Sequence, residues 1–232
     1  MEKMGETRCR VRGMNFSLPQ HSLQVFVEQA VSHLLPDGHG HPHSGTSCFD
    51  KALERVEHCF QAIHLKYYNI NGSITFNHLH ADHMATLLYL YANTIWHTTG
   101  DDAYPIRLCY ANKIMHGLDL HYNVEMPEHF LFVHPIGTVL GRAIYGDYLA
   151  VYQGVTVGAL TTTYPTFGSG TILYANSSVL GNSVLGDDVI VGAHALVRDI
   201  AISAGMTVTG QCPRNRFHPN TKSVRQRCFD GQ

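Results

Sequence analysis

The sequence predicts an α+β protein: an all-helical N-terminal domain, residues 1–118, followed by a parallel β-helix domain, residues 119–232. Two observations support this prediction. Apolar residues in the first half recur at helical spacing, and apolar residues in the second half recur at every sixth position. A chain of 232 residues can bury a substantial core. We therefore expect one domain or two modest ones.

Four helices are predicted in the first half from apolar residues that share one helical face. The predicted ranges are 22–35, about 49–63, about 78–96 and 105–117. Pro36 and Gly38 follow the end of the first helix, and Gly117 ends the fourth. The segment between the first two helices, residues 39–45, is predicted to be a loop. Its histidines, which could bind a metal but in exposed loops more often bind nothing specific, are His39, His41 and His43.

The second half contains two series of apolar residues with a period of six. The first series is Val133, Val139, Tyr145, Val151 and Val157, and the second is Leu173, Val179, Leu185, Val191 and Val197. This period is typical of a parallel β-helix with triangular coils, in which each six-residue unit forms one side and one corner. The two series are out of phase with each other. Residues 159–170 are therefore predicted to form a loop extruded from the prism, and a C-terminal tail follows the coils.

Composition and charge exclude several classes of function. The formal net charge of -2 and the pI near 6.8 indicate no basic surface for nucleic acid. The N-terminus lacks the apolar segment of a signal peptide, and no run of apolar residues is long enough to span a membrane. We expect a cytoplasmic protein whose six scattered cysteines are free thiols. No metal site is expected, because His80 and His83 lie at helical spacing without an evident third ligand.

Four segments resemble motifs of the hexapeptide-repeat acyltransferases, and among these of the serine acetyltransferases. The segments are DLH at 119–121, VHPIGTVLG at 133–141, YQGVTVG at 152–158 and GQCPR at 210–214. The resemblance covers roughly the last half of the chain. It implies a left-handed parallel β-helix, acetyl-CoA as the acyl donor, and a homotrimer or a dimer of trimers.

The resemblance also implies a catalytic pair. Its histidine would be His134, the general base, and its carboxylate would be Asp119, which would orient the imidazole; the separation of 15 residues matches the family pattern. An aliphatic hydroxyl needs such a base to attack a thioester, and imidazole suits this at neutral pH. A lone His134 could instead be a polar corner residue. His121 also falls in the motif, where either a structural or a substrate-binding role is open.

Further site residues follow from the same resemblance. Coenzyme A is expected beside small residues on successive coils, namely Gly158, Ala159, Ala175, Gly192 and Ala193. The same residues also suit β-helix corners, where glycine and alanine fit cramped backbone positions. Arg214 and Arg216 could contact the nucleotide phosphates.

Two departures from the family pattern bear on the acceptor. The family's aspartate before the catalytic histidine, which helps to hold the serine ammonium, is Val133 here. The family's histidine that contacts the serine carboxylate is Tyr164. Because both changes remove charge, we expect a small acceptor other than serine, such as a sugar hydroxyl, a nucleotide-linked sugar or an amine.

Three alternatives remain open at this point. The chain could be a genuine serine O-acetyltransferase of cysteine biosynthesis. It could be a non-catalytic hexapeptide scaffold. It could also be a γ-type carbonic anhydrase, which would need three zinc-binding histidines between subunits; His134 and His194 are available, but a third is not evident.

Overall fold

The computed structural model describes residues 10–11, 13–38 and 45–229. Four helices form most of the N-terminal region: α1 (Gln20–Leu34), α2 (Gly45–Gln61), α3 (Ala81–Thr99) and α4 (Ala103–His116). Each matches one predicted helix, with shifts of a few residues at the ends. Gly117 ends α4 in the left-handed conformation (φ 66°), as a glycine after the last turn can do without strain. The loop histidines His39, His41 and His43 lie outside the described residues.

A small sheet that the sequence did not predict accompanies these helices. Its strands are β1 (Arg10–Val11), β2 (Met14–Phe16), β3 (Asn69–Ile70) and β4 (Ser73–Phe76), in the order β1-β2-β4-β3. The N-terminal region is therefore helical in the main but not all-helical. Two to four residues per strand are too few to give a clear alternating pattern.

Helix α3 is the centre of this region and joins it to the β-helix. Every residue of α3 from Asp82 to Ile95 is buried. The hydroxyl of Tyr89 donates a hydrogen bond to the carbonyl of Val124 at 2.7 Å, and the amide of Asn93 donates to the carbonyl of Tyr122 at 2.8 Å. These bonds hold the first coil against the helix, so the two regions share one hydrophobic core.

The second half is a parallel β-helix with three sheets. The six-stranded sheet contains β6 (Phe130–Val133), β8 (Leu149–Tyr152), β11 (Thr171–Leu173), β14 (Val189–Val191), β17 (Met206–Thr209) and the antiparallel β18 (Arg216–Pro219). The five-stranded sheet contains β5 (Leu118–Leu120), β7 (Thr138–Leu140), β9 (Thr156–Gly158), β12 (Ser178–Leu180) and β15 (Leu196–Arg198). The three-stranded sheet contains β10 (Thr166–Phe167), β13 (Val184–Leu185) and β16 (Ala201–Ile202). The predicted fold class is confirmed.

The six-residue repeat is confirmed for eight of the ten predicted inward positions, which are buried in the prism. The prediction is wrong for Val133 and Val139, since Val139 is 39% exposed and Val133 is only partly buried. The strand register instead places Phe132 beside Val151 and Leu140 beside Val157. The segment from Phe132 to Leu140 contains two more residues than the equivalent segment of the next coil. Because this corner is longer, the inward positions of the first coil are Phe132, one residue before Val133, and Leu140, one residue after Val139.

The extruded loop is shorter than predicted. Residues 166–167 form β10 and pair with β13, so only residues 159–165 leave the prism. Leu160 and Thr163 exchange backbone hydrogen bonds at 3.0 and 3.1 Å, which closes the loop into a tight turn. Residues 168–170 form the next corner of the coil.

The C-terminal tail runs back to the helical region. Strand β18 pairs with the last coil, and helix α5 (Val224–Cys228) follows. The buried side chain of Phe229 lies beside Ile63, just after α2. The five cysteines in the described ranges are free. Among the described helices, none is long and apolar enough to cross a membrane.

Candidate active site

His134 lies in the long corner between β6 and β7. Its side chain is exposed and its backbone is left-handed, with φ of 51°. Its carbonyl accepts a hydrogen bond from the backbone N–H of Ile136 at 2.7 Å. The two extra residues of this corner lift His134 out of the regular coil and present its imidazole at the surface of the prism.

A buried carboxylate from the helical region lies against this corner. Asp82, in the first turn of α3, accepts the backbone N–H of His134 at 3.2 Å and is only 6% exposed. Burial raises the pKa of Asp82, and the charges of His80 and His134 oppose that increase. Sequence reasoning missed this residue because the contact joins positions 52 residues apart in two different kinds of structure.

The side chain of Asp119 takes a different partner. It projects from the outer face of β5, beside Val139 of β7, and forms an ion pair with the Lys113 ammonium at 2.7 Å. No hydrogen bond or ion pair in the described part of the chain joins Asp119 to His134. The nearby His121 is exposed and its Nδ1 lies 2.7 Å from the side-chain oxygen of Asn123. The catalytic roles of His134 and Asp119 and the substrate role of His121 therefore stay predictions.

The residues predicted to bind coenzyme A fall on two edges of the five-stranded sheet. Ala175, Gly192 and Ala193 lie at the corner that also contains His134, where successive coils stack through the bond from His194 N–H to the Ala175 carbonyl. Gly158 and Ala159 lie at the opposite edge, where β9 ends and the extruded turn begins. One chain therefore does not bring the whole set together.

The two glycines in this set differ in what the fold requires. A Cβ added at Gly192 would lie 3.0 Å from the Thr209 side chain and 3.2 Å from the Val208 carbonyl, so packing of the next coil favours glycine there. A Cβ at Gly158 would meet only the Leu180 side chain, at an ordinary 3.6 Å. Packing thus explains Gly192 but not Gly158. Arg214 and Arg216 are both exposed on the last coil and the tail strand.

The residues at the two departures from the family pattern have charged neighbours. Val133 directly precedes the backbone N–H that Asp82 accepts. Tyr164 is half-buried in the extruded turn, and the guanidinium of Arg142 lies over its ring at 4.7 Å. A carboxylate, that of Asp82, therefore lies next to Val133, and a guanidinium, that of Arg142, lies next to Tyr164. The sequence alone did not single out either residue.

A cavity of about 480 Å³ lies between the small sheet and the start of α3. His80 and His83 line it and stack with ring centroids 4.3 Å apart. Nδ1 of His83 accepts the Asn77 backbone N–H at 3.1 Å, and burial lowers the pKa of His83 to about 3. His83 is therefore uncharged near neutral pH and offers no positive charge to a ligand in this cavity.

Comparisons with known proteins agree with the fold and the motifs. No protein-family model matches the chain. Serine acetyltransferase from Synechocystis sp. is 32% identical over 146 residues, which cover 60% of this chain and 57% of that protein. Serine acetyltransferase from Synechococcus elongatus is 32% identical over 102 residues, covering 41% of this chain and 42% of that protein. The chain spans about half the length of these curated relatives.

Solved structures extend the similarity to most of the chain. The serine acetyltransferase of Vibrio cholerae superposes with a TM-score of 0.65 at 17% identity, covering 89% of this chain and 81% of that one. A serine acetyltransferase in complex with CoA gives 0.56 at 18% identity, covering 83% and 75%. The fold and the motifs thus agree with the resemblance to the hexapeptide-repeat acyltransferases. Within that class, the proteins to which the chain is similar are serine acetyltransferases.

Proposed function

We propose that this chain transfers the acetyl group of acetyl-CoA to the hydroxyl of L-serine, with His134 as the general base. The names of the relatives support acetyl transfer to serine, and they give no support to the sugar or other non-serine acceptor expected from the sequence. The structure in complex with CoA supports acetyl-CoA as the donor. The chain's own residues supply a further argument for serine.

The observation that carries this proposal is the contact between Asp82 and the backbone of His134. The loss of the family's aspartate at Val133 led to the expectation of a less charged acceptor. Asp82 places a carboxylate within 3.2 Å of the backbone that joins residues 133 and 134. A carboxylate that could pair with an ammonium group therefore lies at the same corner, and it comes from α3 instead of β6.

Arg142 is the corresponding argument for the serine carboxylate. Its guanidinium lies 4.7 Å from the centre of the Tyr164 ring, in the turn where the family has a histidine. A guanidinium stays protonated at all physiological pH values and binds carboxylates through two parallel hydrogen bonds. Arg142 and Asp82 together would compensate both charges of a zwitterionic acceptor.

The chemistry requires only one proton carrier. The serine oxygen attacks the thioester carbonyl carbon while the imidazole of His134 takes the hydroxyl proton. The tetrahedral intermediate then expels the thiolate of coenzyme A as the C–S bond breaks, and the imidazolium returns its proton to that sulfur. The products are O-acetyl-L-serine and coenzyme A. The carboxylate of Asp82, fixed by the backbone bond, would also stabilise the imidazolium that forms between the two steps.

The proposal includes an assembly of at least three copies. His134 and Arg142 lie at opposite edges of the five-stranded sheet in one chain, as do the two groups of predicted coenzyme A residues. A threefold arrangement of prisms would place one edge of a chain against the other edge of its neighbour. Each active site would then take His134 and Asp82 from one copy and Arg142 and Tyr164 from the next.

The test is acetyl-CoA turnover, followed by thiol release, with L-serine and with a panel of sugars and nucleotide sugars. With L-serine, we expect the wild type to release the thiol of coenzyme A and His134→Ala to release none. The matched control His21→Ala, at an exposed histidine of α1, should keep the wild-type rate. Release with a sugar but not with serine would contradict the proposed acceptor. Absence of release with every acceptor, together with no binding of coenzyme A, would favour the non-catalytic scaffold.

A further inference from the structure

A cluster of three metal-ligating side chains lies where α2 meets the first coil of the β-helix. His58 is in the last turn of α2, and Glu128 and His129 directly precede β6. One donor atom from each residue lies within 4.8 Å of the others. Nε2 of His58 and Oε2 of Glu128 are 3.2 Å apart, close to the separation of about 3.3 Å between two ligands of a tetrahedral zinc ion.

A fourth residue orients one of these ligands. The carboxylate of Asp147, in the next coil, accepts the backbone N–H of His129 at 2.8 Å and its Nδ1–H at 2.9 Å. The stacked ring of Tyr148, with its centroid 5.0 Å away and an interplanar angle of 5°, further fixes the imidazole. With Nδ1 as the donor, Nε2 of His129 keeps its lone pair for a ligand. A carboxylate bound to the second nitrogen of a metal-ligating histidine is a recurring arrangement in metal sites.

The charges at this cluster favour a divalent cation. Two carboxylates, Glu128 and Asp147, face two imidazoles that can be neutral when they ligate a metal. The nearby guanidinium of Arg55 is held by Asn93 and Thr94 at 2.7 and 2.9 Å, and that of Arg225 lies over the Tyr148 ring. The sulfur of the adjacent Cys59 already has backbone partners, since it donates to the Phe130 carbonyl at 3.1 Å and accepts the Phe130 N–H at 3.4 Å.

The remaining adjustment needed for binding is small. The side chains of His58 and Glu128 are 52% and 77% exposed, so both can rotate toward an ion without disturbing the core. His129 is already fixed by Asp147. Three protein ligands leave one position of a tetrahedral ion for water.

We propose that His58, Glu128 and His129 bind one Zn²⁺ ion per chain, with Asp147 as the residue that positions His129. The mixed nitrogen and oxygen donors suit zinc. The ion would connect α2 to the first coil and so stabilise the junction between the two regions. This site shares no residue with the candidate active site, and the proposal does not depend on the proposed acetyl transfer.

The experiment is a competition between the full chain and a chromophoric zinc chelator, which gives stoichiometry and affinity. We expect one tight site per chain in the wild type and its loss in His58→Ala, Glu128→Gln and His129→Ala. The side chains of His58 and Glu128 are exposed, so the His58→Ala and Glu128→Gln variants should fold like the wild type. Asp147→Asn should weaken binding by about 10- to 100-fold, the range for partners that orient a metal ligand.

Two controls separate this site from other histidines of the chain. His21→Ala should keep wild-type affinity, and so should the triple change of His39, His41 and His43 to alanine. Zn²⁺ should also raise the Tm of the wild type but not that of His58→Ala, because a ligand that binds only the folded state stabilises it. Absence of a tight site in the wild type, or wild-type affinity in any one of the three ligand variants, would overturn the proposal.

Discussion

The Asp82 carboxylate accepts the backbone N–H of His134 at 3.2 Å, which joins the first turn of α3 to the corner that presents the candidate base. Because Asp82 is nearly fully buried, its charge acts in a medium that screens it weakly. This relationship is the structural reason to expect a cationic group beside His134.

Asp82→Asn is predicted to raise the KM for L-serine. Asparagine retains an oxygen that can accept the His134 N–H but removes the negative charge. A hydrogen bond to a charged group contributes about 1.5–3 kcal/mol, which corresponds to an increase in KM of about 10- to 100-fold. Steady-state kinetics would measure it. The control acceptor is 3-hydroxypropionate, which lacks the ammonium and whose KM should change little; an unchanged KM for L-serine would refute the role of Asp82.

Arg142→Gln is predicted to affect the opposite end of the acceptor. Loss of the guanidinium removes the proposed partner of the serine carboxylate, so the KM for L-serine should rise by at least about tenfold. Ethanolamine, which has a hydroxyl and an ammonium but no carboxylate, should be used equally well by the variant and the wild type. An equal decrease in kcat/KM with both acceptors would instead indicate that Arg142 only stabilises the extruded loop that contains Tyr164.

A mixing experiment tests whether each site is shared between copies. At L-serine concentrations well below the KM, His134→Ala and the double variant Arg142→Gln, Tyr164→Phe should each have little activity. In the proposed trimer, refolding an equal mixture of the two variants should restore activity at about one quarter of the sites, because the edge with a native His134 faces the edge with a native Arg142 at that frequency. Separately refolded and then combined variants are the control. Failure to recover activity in mixed trimers would contradict the shared site.

The sequence predicted the parts of this molecule that depend on local periodicity. Helical spacing located the four helices, and the six-residue period located the prism, because both patterns are dictated by the side chain's direction along a regular backbone. The corner at His134 broke the period, since two inserted residues shift which side chains point inward. Asp82 and Arg142 were missed because their relevance arises from packing between distant segments, which no spacing in the sequence encodes.

The corrected register gives a test of its own. Phe132 is fully buried, whereas Val133 is only partly buried. Phe132→Ala should therefore lower the free energy of unfolding by about 3–5 kcal/mol, and Val133→Ala by less than about 1.5 kcal/mol. Chemical denaturation monitored by circular dichroism would measure both. A larger loss at Val133 than at Phe132 would restore the register first predicted from the sequence.

The last prediction concerns acid stability, which two buried histidines should reduce. Burial lowers the pKa of His83 to about 3 and that of His116 to about 4, whereas a histidine in the unfolded chain titrates near about 6.5. As the pH falls below about 6.5, each of these histidines becomes protonated in the unfolded state but stays unprotonated in the folded state. Each therefore lowers the free energy of unfolding by up to about 1.4 kcal/mol per pH unit.

His116→Gln isolates one of these contributions. Glutamine does not titrate and can keep a hydrogen bond to Asn112, which Nδ1 of His116 contacts at 2.8 Å. The slope of stability against pH, measured by urea denaturation between about pH 6 and about pH 4.5, should fall by about 1 kcal/mol per pH unit relative to the wild type. His21→Gln, at an exposed position of α1, should leave the slope unchanged. An unaltered slope in His116→Gln would mean that His116 binds its proton equally well in the folded chain.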